Sequence, residues 1–380
     1  MLKKLTLVLL LLPVMQTNAD VEPEGSQSPA ITAEGRLPLR ELRTFTQVFE
    51  QVRLGYVEEV TDTELLENAI EGLLTGLDPH STYLKKEDYG DLQESASGEY
   101  GGLGMEVGAD SGLIKVISPI DGSPAAKAGI KAGDLIIEMN DSPIRGLGLQ
   151  KAIDKLRGEK GTSITLTVFR EGEDGPLEIT VIRDTIQVSS VRSRIIEPGY
   201  GYVRVSQFQV SSGDDFKAAL ISLKTKEPAL KGLIIDLRNN PGGILDSAVD
   251  ISDLFLDEGV IVSAEGRTPE SRFVREARHG DILDGAAIAV LVNGGSASAS
   301  EIVAGALQDH KRAIILGENS YGKGSVQSII PLRNGGGMRL TISKYYLPSG
   351  DSISEVGVTP DIVVEETGDD FKINSKNDNQ

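Results

Sequence analysis

An apolar run at 286–292, a turn of glycine and serine from Asn293 to Glu301, and a helical pattern at 299–308 follow one another without a spacer. A strand that passes straight into an amphipathic helix lays that helix on its own sheet, which is the α/β arrangement. The alternation extends beyond this unit. Strand candidates lie at 201–205, 232–237, 286–291 and 313–316, with 339–343 near the end, and helical patterns lie at 215–224, 245–256 and 299–308. The turn also places hydroxyls at a helix N-terminus, beside backbone N–H groups able to stabilise an oxyanion. Downstream, Gly322-Lys323-Gly324-Ser325-Val326-Gln327 holds a lysine in a tight glycine loop with a glutamine four residues on. A serine and a lysine that can be buried suffice for acyl transfer without histidine.

The 380 residues suggest two or three domains. Lys3 and Lys4 precede an apolar run at 5–14, and Thr17-Asn18-Ala19 offers small residues for cleavage near Ala19, so residues 1–19 read as a secretory signal peptide. The signal has no lipidation cysteine, and no later stretch is apolar enough to span a bilayer. The mature chain is therefore expected in the periplasm. No cysteine is present, so disulfides, thiolate chemistry and cysteine-ligated metal are excluded. Loss of Lys3 and Lys4 takes the net charge from −19 to −21, which argues against nucleic-acid or anionic-membrane partners.

Residues 20–35, rich in Pro, Glu and Ser, read as a flexible leader. Residues 36–95 form a helical segment: Leu42, Phe45, Val48, Phe49 and Val52, then Leu65, Ala69, Ile70 and Leu73, recur at helical spacing. Two such helices bury little alone, which predicts packing on the main domain or a homo-oligomer formed through them. Residues 96–184 look like a compact module. It has a glycine-rich entry at 101–104, strands at 105–107, 113–117, 135–139, 164–169 and 177–182, a short helix opened by Ser123-Pro124 and another at 149–156. The α/β core occupies 185–365, and 366–380 reads as a disordered tail.

The order of these features resembles the C-terminal processing peptidases, also called tail-specific proteases, over residues 45–364. Asp236-Leu237-Arg238-Asn239-Asn240-Pro241-Gly242-Gly243 and Gly76-Leu77-Asp78-Pro79-His80-Ser81 belong to the same match. The resemblance implies a peptidase core of crotonase/ClpP-like type, α/β (α+β), with an inserted PDZ domain and an N-terminal helical segment. It implies a Ser–Lys endopeptidase without cofactor or metal, acting on proteins with exposed C-termini; a lipoprotein adaptor is a further conceivable partner. Of Ser296, Ser298 and Ser300 the resemblance selects Ser298, with Lys323 25 positions later as base and Gln327 orienting the lysine. It assigns the 101–104 loop (Gly101, Gly102, Leu103, Gly104) to a peptide's terminal carboxylate, with Met105 opening the strand that pairs with the peptide.

Each residue also has a plainer reading. Ser298-Ala299-Ser300-Glu301 fits a helix capping box. Lys323 fits a solvated loop lysine; to act near neutral pH its pKa must fall from about 10.4 to about 7–8, roughly 3–5 kcal/mol, which burial can supply. The 239–243 turn is an ordinary strand-to-helix connection, or else Gly242 or Gly243 completes an oxyanion hole with Ala299. His310 ends the helix that Ser298 begins, about 18 Å away at 1.5 Å per residue, too far for a triad. His279 lies in a charged stretch and His80 in a turn. The rival reading from another class is a non-catalytic PDZ adaptor on a peptidase-like scaffold. Movement of the PDZ domain is expected to gate the site.

Overall fold

The computed structural model describes residues 37–278, 280–365 and 372–375. The expected signal peptide, the leader, His279 and most of the expected tail lie outside the described residues. The described residues fall into two units, 37–68 and 69 onwards. In the first, helix Leu39–Gly55 buries none of its residues, and Leu42, Phe45, Val48 and Val52 leave an apolar stripe in the open. A second helix, Asp62–Thr75, starts in this unit with Asp62 and Glu64 in its first turn, where acidic groups favour the helix N-terminus.

In the second unit a seven-stranded sheet forms the core. Its four central pairings, from Tyr200–Val205 through Gly232–Asp236, Ala287–Val292 and Ile314–Gly317 to Ile362–Glu365, are all parallel. Helices Ser212–Lys226, Leu245–Asp253 and Ala299–Asp309 supply the crossovers. Their fully buried side chains, Phe216, Ile251 and Ile302 among them, share one apolar core with Val203, Ile235 and Val290 of the strands. The α/β alternation read from the sequence is thus present, with antiparallel strands Val191–Glu197 and Lys372–Ser375 at the two edges. The latter corrects the expectation of disorder for 372–375: its backbone pairs with the otherwise open edge of Ile362–Glu365.

The strand expected at 339–343 is longer, Gly337–Tyr346, and does not join this sheet. It is the spine of a second, antiparallel sheet, flanked by Thr82–Leu84, Ser325–Pro331 and Val260–Gly266. This second sheet makes the core α+β, and it places the strand that follows Lys323 and the 78–84 segment on opposite edges of Gly337–Tyr346. Asp78 locks that segment. Its carboxylate accepts from the His80 and Ser81 N–H groups, from Ser81 Oγ at 2.7 Å and from Thr341 Oγ1 at 3.1 Å.

The inserted module has its own sheet, Met105–Asp110, Leu113–Pro119, Leu135–Met139, Ser163–Phe169 and Leu177–Ile182, and its own core around Ile114, Ile136, Leu166 and Val168. Its two ends meet as a two-stranded ribbon, Glu99–Gly102 with Asp184–Gln187, so that the chain leaves where it entered. Among the described residues no helix is long and apolar enough to cross a membrane.

Candidate active site

Strand Ala287–Val292 ends in the parallel sheet, and the following turn is stitched to the neighbouring 237–243 loop by its serines. Ser296 Oγ donates to the Leu237 carbonyl at 2.7 Å, and Ser300 Oγ to the Asn240 carbonyl at 2.9 Å. Both hydroxyls are wholly buried and serve the turn. The Ser298 hydroxyl donates to no atom among the described residues. Geometry therefore separates three serines that local sequence left equivalent. Ser298 is also held at φ 55°, ψ −111°, a region costly for a residue with a side chain, on the order of 1–3 kcal/mol. The residues around it oppose relaxation: Ala297 N–H donates to the Asn240 carbonyl at 3.0 Å, and the N–H groups of Glu301 and Ile302 donate to the Ser298 carbonyl.

The capping box expected at 298–301 is present. Its firm arm is Ser298 N–H donating to Glu301 Oε2 at 2.6 Å. Glu301 does far more than cap. With no exposed surface, its carboxylate also accepts from Ser320 Oγ at 2.6 Å, Gly322 N–H at 2.6 Å and Lys323 N–H at 3.0 Å. One carboxylate thus binds the amide of the strained serine and the amide of the lysine in two different segments. The sequence reading missed this role. Its only signal was the acid three positions after Ser298, which reads equally as an ordinary cap.

Lys323 is half-buried between Gly322, at φ +91°, and Gly324. A Cβ at Gly324 would run into the backbone nitrogen of Ser354, which cannot give way, so only glycine fits. Burial pushes the Lys323 ammonium below its ordinary value, the positive charge of Arg339 pushes it further, and Glu301 works against both. The Gln327 amide donates to Ser325 Oγ at 2.7 Å. Among the described residues no hydrogen bond joins Ser298 Oγ, Lys323 Nζ and Gln327.

The 239–243 loop comes against the serine from the other side. A Cβ on Gly242, at φ +99°, would lie 2.8 Å from Ser298 Cβ and 3.1 Å from Ala299 N. Gly242 N–H donates to Asn240 Oδ1 at 2.9 Å, whereas Gly243 N–H and Ala299 N–H have no partner among the described residues. Below this loop, buried Asp236 accepts from Tyr202 OH at 2.7 Å and from Arg204 and Arg238. These partners outweigh the cost of its burial and hold its carboxyl down at about 2.

In the inserted module a groove of about 220 Å³ runs between residues 102–105 with Val107 and helix residues Ile153 and Leu156. The N–H groups of Leu103 and Gly104 have no partner among the described residues. Gly101, expected in the same loop, is not a groove residue. It lies in strand Glu99–Gly102, where a Cβ would run into the Gly158 carbonyl.

Comparison with known proteins bears on this geometry. Residues 199–364 match the model of peptidase family S41, residues 91–169 that of the PDZ domain, and residues 11–88 that of the activating protease CtpB N-terminal domain. A carboxy-terminal-processing protease of Bartonella bacilliformis is 51% identical over 329 residues, covering 86% of this chain and 76% of that protein. The chain belongs to the carboxy-terminal processing proteases.

This protease is also 34% identical to the carboxy-terminal processing protease CtpA of Bacillus subtilis, over 84% of this chain and 68% of that one. Among solved structures it resembles the photosystem II D1 C-terminal processing protease, with 28% identity, 87% coverage of each chain and a TM-score of 0.50. It is therefore a serine-type peptidase with a PDZ domain, and the adaptor alternative falls.

Proposed function

We propose that this protease is a periplasmic endopeptidase that cuts proteins near their C-termini through a Ser298–Lys323 dyad. Ser298 Oγ attacks the scissile carbonyl while neutral Lys323 Nζ takes its proton. The collapsing intermediate leaves an acyl-enzyme, Lys323 returns the proton to the departing amine, and water then releases the acyl group by the same route. Ala299 N–H and Gly243 N–H stabilise the oxyanion, since Gly242 N–H is already committed to Asn240. Gln327 holds the lysine once it turns from Ser325. The observation that carries this reading is that Glu301 ties the amides of Ser298 and Lys323 together around the one hydroxyl of the turn that is left free to give up its proton.

The lack of a Ser298–Lys323 hydrogen bond among the described residues, and the bond that commits the Gln327 amide to Ser325, support a resting site that PDZ engagement of a substrate C-terminus completes. The free Leu103 and Gly104 amides support capture of a terminal carboxylate, and the bare stripe of helix Leu39–Gly55 supports a homo-oligomer formed through the N-terminal helices. Export rests on the signal read at 1–19. The test is to incubate wild-type, Ser298→Ala and Lys323→Ala proteins with an unfolded substrate and map products by mass spectrometry. Wild type should yield cuts near the C-terminus and both variants none while melting normally. Persisting cleavage in either variant overturns the dyad.

A further inference from the structure

The loop that carries Lys323 is zipped to a second loop, residues 353–358. Asn319 Nδ2 donates to the Val356 carbonyl at 2.6 Å, Glu355 N–H to the Gly322 carbonyl at 2.9 Å, and Val358 N–H to Ser320 Oγ at 2.7 Å. On the nucleophile side, Tyr321 N–H donates to the Ser296 carbonyl at 3.0 Å. The backbone at 319–324 is therefore fixed on both flanks. Yet the two loops present large apolar side chains to solvent: Tyr321 is 63% exposed and Val356 62%. Both side chains stand on loops that the backbone bonds hold together, Tyr321 two residues from Lys323.

We propose that Tyr321 and Val356 form an apolar subsite for the first residues of the released C-terminal fragment. The occupant follows from the chemistry. The group that protonates the leaving amine must stand within hydrogen-bond reach of that nitrogen. Lys323 and its loop therefore flank the half of the substrate beyond the scissile bond, and the neighbouring Tyr321 ring and Val356 methyls meet its side chains. The tail is then read twice, by the PDZ groove at its end and by this pair next to the cut. The subsite is specific to the core, and it rests on the Ser298–Lys323 reading for its orientation.

The experiment uses a peptide series in which the residues after the cleaved bond are large and apolar, small, or charged. Turnover is measured on the full-length protein, and binding on the Ser298→Ala protein, which separates the subsite from the chemistry. Tyr321→Ala should lower kcat/KM for the apolar peptides at least about tenfold relative to the small ones, mainly through KM, and should weaken binding in the Ser298→Ala background by the same ratio. Val356→Ser should do so to a lesser degree, and Tyr321→Phe should restore the preference. An equal loss on all peptides, or an unchanged ratio in both readouts, overturns the subsite. A matched series varied before the cleaved bond serves as the control: loss of selectivity only there would place the pair on the acyl half and overturn it as well. Failure of the dyad itself would appear as Ser298-independent cleavage, with the binding ratio still readable.

Discussion

Replacing Glu301 by Gln tests the link between nucleophile and base most directly. The carboxamide has the size of the carboxylate but offers one acceptor oxygen where two now serve four donors. In its better orientation the new NH2 faces Ser320 Oγ, which can rotate to accept, and Gly322 N–H, which is left without a partner. An orphaned buried donor costs about 1–3 kcal/mol, and the Ser298 and Lys323 amides each lose the charge assistance of their bond, about 0.5–1 kcal/mol apiece. The sum is about 2–5 kcal/mol. Where it falls on the arrangement of Ser298 against Lys323, it slows turnover roughly 30-fold to several-thousand-fold. Where it falls on the fold, it lowers the melting temperature. Circular dichroism melts and mass-spectrometric product assays on the same preparation separate the two. A Glu301→Gln protein that melts with its parent and cuts at the parental rate refutes the argument.

Three further outcomes are expected. Because the folded Lys323 sits below its ordinary value near 10.5, the unfolded chain binds more protons in the window between the two values, and stability rises with pH across it; Lys323→Met should flatten that rise, and Arg339→Gln, which removes a charge that lowers the lysine, should move the rising limb of the kcat/KM profile to higher pH. Gly243 stands at φ +140°, where a Cβ would run into the Phe208 carbonyl, so Gly243→Ala should destabilise the core and cut turnover about 100-fold or more, read by thermal melts and peptide hydrolysis. Asp236, held at about 2, contributes stability that is complete above about 4 and lost as pH falls through about 2; Asp236→Asn should remove that acid limb and cost about 1–3 kcal/mol in denaturant titrations, moderated because Arg204 and Arg238 are partly exposed.

Much of this molecule was written in local pattern. The apolar runs at 201–205, 232–237 and 286–291 and the helical stripes after them specify strands and crossovers on their own, because a buried parallel strand and an amphipathic helix each need only their own period. The capping box at Ser298 and the glycines around Lys323 were visible for the same reason: a cap or a tight loop is a matter of a few consecutive residues. What local pattern could not carry is any pairing across distance. Nothing near Gly337–Tyr346 indicates that it forms a second sheet, because an antiparallel partner is chosen by register and not by neighbours. Nor do three serines spaced by alanines announce which hydroxyl stays free, since Leu237 and Asn240, about sixty positions away, decide it by accepting from Ser296 and Ser300. Glu301 makes the point most fully. Sequence marks it as a cap, whereas the fold brings the 320–323 loop onto the same carboxylate, and a buried acceptor with spare lone pairs draws in every donor within reach.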